Sequence, residues 1–236
     1  MIIHILENIF DSNYYEKVNF DFSLIGAKYF IYTPVAKENK EEYFVLLELV
    51  NQSDENVKVT LEDISEYLFE TIINYGNVER YFGKNSTLII CHRENQIERM
   101  TTLSLEEDLY NFKKNVIAYT EKELHGLVIY LKQKKLISLT NETLRNIINE
   151  NNGSHFVKFK ENKESNIDYY SLLMKVFLKL PFLTYETQDK GLSKINEEID
   201  KELTVTQQKI RDDILSIKDE WTDESILNFA SENWGK

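Results

Sequence analysis

The chain has 236 residues with 40 acidic and 28 basic side chains, which gives a formal net charge of −12 at pH 7. This acidic balance disfavours nonspecific wrapping of nucleic acid, because such binding depends on many lysines and arginines. Hydrophobic residues make up 42 % and aromatic residues 12 % of the chain, which argues against disorder. A single cysteine, Cys91, excludes an intramolecular disulfide framework and fits a reducing compartment.

The apolar segments of the chain are short. Residues 1–10 lack a basic start, and their apolar run is too short for a signal peptide. The densest apolar stretches, 43–50 and 127–131, fall far short of the ~20 residues that a membrane helix needs. We therefore expect a cytoplasmic protein without membrane contact.

The first part of the chain has the character of β-hairpins. Residues 27–33 and 43–50 are rich in β-branched and aromatic residues, and a polar stretch separates them, which predicts an antiparallel hairpin with a long loop. Residues 86–92 and 96–103 predict a second hairpin.

A helix is predicted between these two hairpins. It begins at Thr60, because Thr60 and Asp63 have the spacing of a capping box, and Gly76 ends it. Spacings of three and four residues place five side chains on one face of this helix, namely Leu61, Ile64, Leu68, Ile72 and Tyr75.

From residue 105 onward the pattern is typical of helices. Capping boxes that start at Ser104 and Thr120 precede predicted helices over 105–118 and 121–135. A third helix over 141–150 follows Thr140 and directs three side chains inward, namely Leu144, Ile147 and Ile148.

Three further signals lie before the last part of the chain. Asn151, Asn152 and Gly153 break the preceding helix, and residues 155–160 predict a short strand. An apolar helix then begins at Asp168 and ends at Pro181.

The predicted fold class is α+β. N-terminal antiparallel hairpins with a helix precede a helical C-terminal half that ends in a long amphipathic helix. We divide the chain into an α/β N-terminal domain at 1–104, a helical region at 105–188 and an amphipathic arm at 189–236.

The arm carries the clearest periodic pattern in the chain. An apolar stripe with spacings of three and four runs over 192–221, close to a coiled-coil repeat. The arm either packs on its own domain or binds another chain, and tryptophan is a common interface anchor. The candidate partner-binding residues here are Ile195, Ile199, Leu203, Ile210, Ile214, Ile217, Trp221 and Trp234.

No motif for catalysis or cofactor binding is present in the sequence. It contains neither GxxxxGK[ST] nor GxGxxG, and its four histidines show no HExxH or other metal-ligand spacing. We therefore assign no catalytic, cofactor-binding or metal-binding residue. Cys91 is either a buried structural cysteine or a nucleophile paired with a distant histidine.

A divergent metal-dependent nuclease or hydrolase is the alternative function. Residues 38–40 and 161–163 both read Glu-Asn-Lys, which matches the Glu-x-Lys of such nucleases, although both lie in polar segments. Glu48 on an apolar strand is either a solvent-facing residue or a metal ligand. The basic clusters at 113–114 and 132–135 are either solvated helix faces or contacts to nucleic acid or an acidic partner.

One segment resembles a known family. Residues 105–120 read Leu-Glu-Glu-Asp-Leu-Tyr-Asn-Phe-Lys-Lys-Asn-Val-Ile-Ala-Tyr-Thr. An acidic pair, an Asp-x-Tyr-x-Phe-Lys-Lys core and a hydrophobic-x-Tyr-Thr ending resemble the middle component of ABC-three-component systems, which include Lamassu-type antiphage defence operons. The order of elements over about 25–130 is also similar.

This resemblance implies a noncatalytic accessory subunit. Such a subunit bridges or regulates an SMC-like ATPase and an effector, often a nuclease, and contacts DNA only indirectly or weakly. On the predicted helix, Leu109, Phe112 and Val116 are expected to pack inward. Asp108, Lys113 and Lys114 are candidate partner-binding residues, which either face a partner or pair with one another within the helix. A small-molecule-binding or regulatory domain is a third hypothesis.

Overall fold

The computed structural model describes residues 2–20, 22–36, 38, 40–59, 63–75, 78–161, 168–185, 200, 202–216, 227–228 and 231. The chain divides into two compact units, residues 1–186 and 187–236. The first unit contains a five-stranded sheet with helices packed on both faces.

The strands lie in the sheet in the order in which they occur in the chain. They are β1 (Tyr15–Val18), β2 (Ala27–Pro34), β3 (Tyr43–Leu49), β4 (Ser86–Arg93) and β5 (Lys113–Tyr119). The first three strands pair antiparallel, whereas β3, β4 and β5 pair parallel. The sheet therefore has an antiparallel half and a parallel half that share β3.

Eight helices are described in the first unit and one in the second. They are α1 (Ile2–Ser12), α2 (Asp54–Val59), α3 (Ser65–Tyr75), α4 (Arg99–Glu107), α5 (Glu121–Gln133), α6 (Asn141–Ile148), α7 (Ser154–Lys160), α8 (Asp168–Lys179) and α9 (Val205–Ser216).

Two hydrophobic cores lie on the two faces of the sheet. The first contains buried residues of α1, α5, α6 and α8, and the second contains buried residues of α2, α3 and α4. Strand β4 contributes alternate residues to both cores, with Ile89 in the first and Ile90 in the second. A strand that is buried on both faces forms a continuous apolar run, which is typical of parallel sheets.

The predicted first hairpin is confirmed. Strands β2 and β3 pair antiparallel, with Phe30 opposite Leu46. In the helix predicted to follow, Leu68 and Ile72 are buried as expected, whereas Tyr75 is exposed and Leu61 lies outside the described residues.

The predicted second hairpin is wrong. Residues 96–103 do not pair with β4, because most of this segment belongs to α4. The helix places Thr101 and Leu105, four residues apart, on one buried face. Strand β4 instead pairs with β3 and β5 through parallel crossover connections.

The predicted helix over 105–118 is also wrong. Helix α4 ends at Glu107, and residues 113–119 form β5, so the sheet continues past position 104. Within β5, Lys114 and Val116 lie on the face of the second core. Ile117 and Tyr119 lie on the opposite face and are buried in the first core. The capping-box pattern at Ser104 is fortuitous, because Ser104 lies inside α4 and its carbonyl accepts from the Asp108 N–H.

Other helix predictions are confirmed at their starts. Thr120 and Glu123 form a reciprocal capping box before α5, and the Thr140 side chain caps α6, whose inward residues are buried as expected. Helix α8 begins at Asp168 as predicted. Residues 155–160, however, belong to α7 and not to a strand, and α1 was not predicted.

The second unit is described over α9 and a few neighbouring residues. Thr204 and Gln207 form a capping box at the start of α9, and the backbone is not helical at 203–204. Leu203 and Ile210 are half-buried. Five of the other predicted seam residues lie outside the described part of the chain, namely Ile195, Ile199, Ile217, Trp221 and Trp234. For Ile214 the backbone is described and the side chain is not.

Candidate functional site

The carboxyl edge of the parallel strands is the first candidate site, because open α/β sheets bind ligands there. Here the Arg93 N–H donates to Gln52 Oε1 at 3.0 Å, and Arg93 Nε lies 3.0 Å from Glu121 Oε1. These contacts tie the segments after β3, β4 and β5 to one another.

Cys91 and His92 occupy this edge but lie on opposite faces of β4. Burial raises the pKa of the Cys91 thiol well above its usual range, which keeps the sulfur protonated and a poor nucleophile. Burial likewise lowers the pKa of His92, whose Nδ1 lies 2.9 Å from the Arg93 carbonyl oxygen. The two side chains cannot act as a pair, and Cys91 fits the structural role.

The metal-dependent alternative receives no support from clustering of ligands. Within the described ranges, no group of three or more His, Cys, Asp or Glu side chains could hold a metal ion. Glu48 is half-buried on β3, where it is paired in register with Lys28 and Cys91. Asn39, Asn162 and Lys163 of the two Glu-Asn-Lys tripeptides lie outside the described residues.

The loop between α4 and β5 is the second candidate, and we call residues 108–112 the tip loop. Its two central side chains project into solvent, with Leu109 88 % and Tyr110 81 % exposed. Asn111 adopts a left-handed conformation with φ of 64°, which asparagine tolerates better than most residues. The chain thus turns sharply and presents an aliphatic and an aromatic group side by side.

A buried lysine holds the tip loop from below. The Lys114 side chain is 0 % exposed, and its Nζ lies 3.0 Å from Asp108 Oδ2. The same ammonium donates to the carbonyl oxygens of Tyr110 at 2.6 Å and Phe112 at 3.4 Å. Asp108 also accepts from the Tyr110 N–H at 2.9 Å. Every named partner of this ammonium belongs to the tip loop.

Phe112 anchors the other end of the tip loop in the core. It is fully buried, and its ring lies 5.0 Å from that of Phe69 and 6.0 Å from that of Phe82, both in edge-to-face geometry. The expectation that Phe112 and Val116 pack inward is confirmed, whereas Leu109 is exposed. The prediction for Leu109 assumed a helix, and it is wrong because residues 108–112 form a loop without helical periodicity.

A second ion pair braces the outer edge of β5. Glu106 Oε1 accepts from the Val116 N–H at 2.8 Å and lies 2.5 Å from Lys179 Nζ. Asn115 Nδ2 donates to the Lys179 carbonyl oxygen at 2.8 Å. Because β5 is an edge strand, the Glu106 carboxylate occupies a backbone N–H that would otherwise be open to pairing.

The charged candidates from the sequence therefore have different positions. Lys114 is enclosed and its charge is used within the chain, and Asp108 is largely engaged with it. Lys113 is exposed at the start of β5. In the other basic cluster, Lys134 pairs with Glu150 at 2.9 Å, while Lys132 and Lys135 are exposed.

Sequence reasoning missed the two exposed residues of the tip loop as candidates. The sequence did contain a turn signal here, because Asp108 and Asn111 are residue types that favour turns. The capping-box pattern at Ser104 competed with that signal and extended the predicted helix through the loop.

One family model matches this region. Residues 42–148 match the family model of the ABC-three component (ABC-3C) system Middle Component 1. No curated protein and no solved structure matches the chain. The matched region runs from the start of β3 to the end of α6 and includes the tip loop. Over these residues, slightly less than half of the chain, the sequence is similar to an ABC-three-component middle component, and residues 105–120, which carry the predicted resemblance, lie within them.

Proposed function

We propose that the chain is a noncatalytic accessory subunit of an ABC-three-component antiphage defence complex and that its tip loop contacts a partner subunit. The observation that carries this proposal is the position of the tip loop. It lies inside the matched range and exposes Leu109 and Tyr110 on a backbone held by the buried Asp108–Lys114 pair.

The buried ion pair is better explained by loop shape than by stability. Removing two charges from water costs several kcal/mol per ion, and their attraction often only offsets that cost. Here the pair fixes two carbonyl groups and one N–H of the tip loop. A loop that is already ordered loses less conformational entropy when it binds a partner.

The exposed side chains are of the kind that dominate protein interfaces. Tyrosine is enriched among residues whose truncation strongly weakens binding. Lys113 follows the loop with its charge in solvent, so the surface combines an apolar centre with a cationic rim. We expect the partner to offer an apolar pocket bordered by acidic groups.

The partners that we propose are an SMC-like ATPase and an effector of the same complex, as in Lamassu-type systems. The name of the matched family supports this, because a middle component belongs to a system of several subunits. In this proposal the chain bridges or regulates the two partners in the cytoplasm and contacts DNA only indirectly or weakly, in keeping with its net charge of −12. Among the described residues, no helix is long and apolar enough to cross a membrane.

The predicted seam of the arm is a proposed second contact. Ile210 is half-buried on α9, and the sequence places it in one stripe with Ile214. If the seam binds a partner, Ile210→Asp with Ile214→Asp abolishes assembly and leaves the chain folded. Loss of the folded chain would show instead that the seam belongs to its own core.

Tagged purification from native cells, followed by mass spectrometry, tests the proposed function. We expect an SMC-like ATPase and an effector to remain bound to the wild-type chain and one of them to be lost from Tyr110→Ala. Tyr67→Ala is the matched control, because Tyr67 is an exposed tyrosine on α3. Equal retention by both variants would contradict a role for the tip loop.

The alternative of a metal-dependent nuclease has its own test. Titration of the purified chain with Mg²⁺ and Mn²⁺ in a calorimeter should give no heat of binding. Metal binding together with DNA nicking that is lost in Glu48→Ala would replace the accessory role by the nuclease.

A further inference from the structure

An apolar groove lies almost entirely outside the matched range, where α6, α7 and α8 meet. Its volume is about 200 Å³. The lining is formed by six residues, namely Ile148, Phe156, Met174, Phe177, Leu178 and Tyr185. Three of them reach solvent, since Phe156, Leu178 and Tyr185 are exposed.

The size and chemistry of the groove fit side chains better than a cofactor. Small-molecule sites usually occupy about 300–1,000 Å³ and contain several converging polar groups. The polar atom of the lining that is described, the Tyr185 hydroxyl, already donates to Asn149 Oδ1 at 2.8 Å. A dry cavity of about 150 Å³ holds one benzene molecule, so this groove has room for one or two apolar side chains.

Helix α7 forms one wall and lacks apolar burial of its own. None of its seven residues is buried, although three of them are large and apolar, namely Phe156, Val157 and Phe159. Leu178 on α8 is 70 % exposed beside it. Contiguous apolar exposure of this kind marks interaction surfaces.

The same helix carries positive charge on an acidic protein. Lys158 and Lys160 are both exposed, and α7 has no acidic residue. Lys160 follows Phe156 by four residues, so both lie on one side of α7, whereas Lys158, two residues from Phe156, lies on the opposite side. The groove side of α7 therefore carries a positive charge at Lys160, whereas the chain as a whole has a net charge of −12.

We propose that this groove binds an amphipathic helix of a partner protein, with apolar anchors one turn apart and acidic residues beside them. An amphipathic helix in an apolar groove presents anchors at spacings of three, four and seven residues. The anchors fill the space between Phe156 and Leu178, and the acidic flank meets Lys160. The proposal gives the accessory subunit a further contact. It rests on the proposed function only in assigning the partner helix to another subunit of the same complex.

An anionic membrane surface would match the charge but not the shape. Stable recognition of acidic lipids usually needs clusters of about four to eight lysines or arginines. The groove side of α7 offers one lysine, Lys160, beside a concave surface. The helix of a partner protein is therefore the occupant that the surface favours.

Fluorescence anisotropy with two labelled peptides tests the proposal on the full chain. The first peptide is an alanine-based helix of about five turns with leucines at i, i+4 and i+7 and two glutamates beside the leucine face. The second has glutamines in place of the glutamates, so neither peptide carries a large net charge. We expect the acidic peptide to bind about threefold more tightly than the neutral one, with the difference reduced by salt.

Variants locate the binding. Leu178→Asp should weaken the acidic peptide by about tenfold or more, because it places a charge beside the apolar anchors. Lys160→Glu should abolish the preference for the acidic peptide, whereas Lys158→Glu, on the opposite side of α7, should leave that preference unchanged. Ile137→Asp is the control, since Ile137 is 87 % exposed away from the groove lining, and circular dichroism checks that each variant is folded.

Three results would overturn the proposal. They are equal binding of both peptides, unchanged binding by Leu178→Asp, and binding of phosphatidylglycerol vesicles without binding of the acidic peptide. Tyr110→Ala should bind the acidic peptide as the wild type does. A failure at the groove would thus be distinct from a failure of the tip loop in the purification experiment.

Discussion

The tip loop and the α7 groove both expose apolar side chains, but the structures beneath them differ. The tip loop spans five residues and is fixed by a buried lysine at one end and a buried phenylalanine at the other. Helix α7 has no buried residue, and its apolar side chains line an open groove. The tip loop is therefore an ordered projection, and the α7 surface is an open apolar groove.

This difference shows that exposure alone does not assign a role to an apolar residue. In the tip loop, charge lies inside and holds the backbone, while the exposed groups carry no charge. At the groove, charge lies outside on α7 and can select a partner. Changes beneath the tip loop should therefore alter stability and binding together, whereas changes at the groove should alter binding alone.

The largest expected effect separates two aromatic residues that lie two positions apart. Phe112→Ala should lower the free energy of unfolding by about 3–5 kcal/mol, because it leaves a cavity beside Phe69 and Phe82. Tyr110→Ala should change it by less than about 0.5 kcal/mol, because that side chain is in solvent. Urea denaturation measures the free energy of unfolding of both variants. Similar losses of stability would contradict the assignment of Phe112 as a buried anchor and Tyr110 as an exposed side chain.

The second effect concerns the buried ion pair. Lys114→Met should lower the free energy of unfolding by about 3 kcal/mol, because it leaves Asp108 and two loop carbonyl groups without their cation. Lys113→Met, its exposed neighbour, should be nearly neutral.

A double variant distinguishes loop shape from stability. Lys114→Met with Asp108→Leu should recover part of the lost stability, because no unpaired charge remains. The same variant should still fail to retain the partners, because the loop carbonyl groups are no longer held. Full recovery of partner retention would show that the ion pair does not shape the contact.

A smaller effect is expected at the start of α5, directly after β5. Thr120→Ala should cost about 1 kcal/mol, because the threonine hydroxyl accepts from the Glu123 N–H in the capping box. Thr204→Ala is the comparison in the second unit, where Thr204 and Gln207 form the same motif before α9. If Thr120→Ala leaves thermal unfolding unchanged, the cap does not contribute to holding the end of β5.

The smallest effect is a pH dependence on the side of the sheet that supports the tip loop. His92 lies on the β4 face that contains Ile90, and burial lowers its pKa below the value of 6.5 for an unperturbed histidine. Its contribution to stability is therefore present above pH 6.5 and is lost as the pH falls below that value, since the unfolded chain then binds the proton.

The variant His92→Gln checks this dependence. Denaturation of the wild type at pH 7.5 and 5.5 should show a larger loss of stability than denaturation of His92→Gln over the same interval. Equal losses would assign the pH dependence to other groups. The α7 groove contains no titratable lining residue besides Tyr185 among those described, so peptide binding should change little over this range.

Local patterns predicted those elements whose start and periodicity agree. The capping box at Thr120, the cap at Thr140 and the hairpin of β2 and β3 follow from neighbouring residues and are confirmed. The parallel half of the sheet was not predictable in this way. Strand β4 has partners 43 positions away at β3 and 26 positions away at β5, and a buried apolar run does not specify its neighbours.

The segment that forms the tip loop was recognised in the sequence, but its geometry was not predicted. Lys114 was expected either to contact a partner or to pair within a helix, and Leu109 was expected to pack inward. In the structure Lys114 is buried and pairs with Asp108, and Leu109 is exposed. Only the loop conformation, with its left-handed Asn111, determines which side chains point inward. The spacing of α1 residues Ile2, Ile5, Leu6 and Ile9 carried a helical signal that was overlooked.

The central claim is that the exposed residues of the tip loop bind a partner while the buried ones only hold it in place. The most direct measurement is quantitative mass spectrometry of subunits that copurify with the tagged wild type, Tyr110→Ala and Tyr67→Ala. We expect the wild type and Tyr67→Ala to retain both an ATPase and an effector, and Tyr110→Ala, although folded, to lose one of them. Retention of both subunits by folded Tyr110→Ala would contradict it.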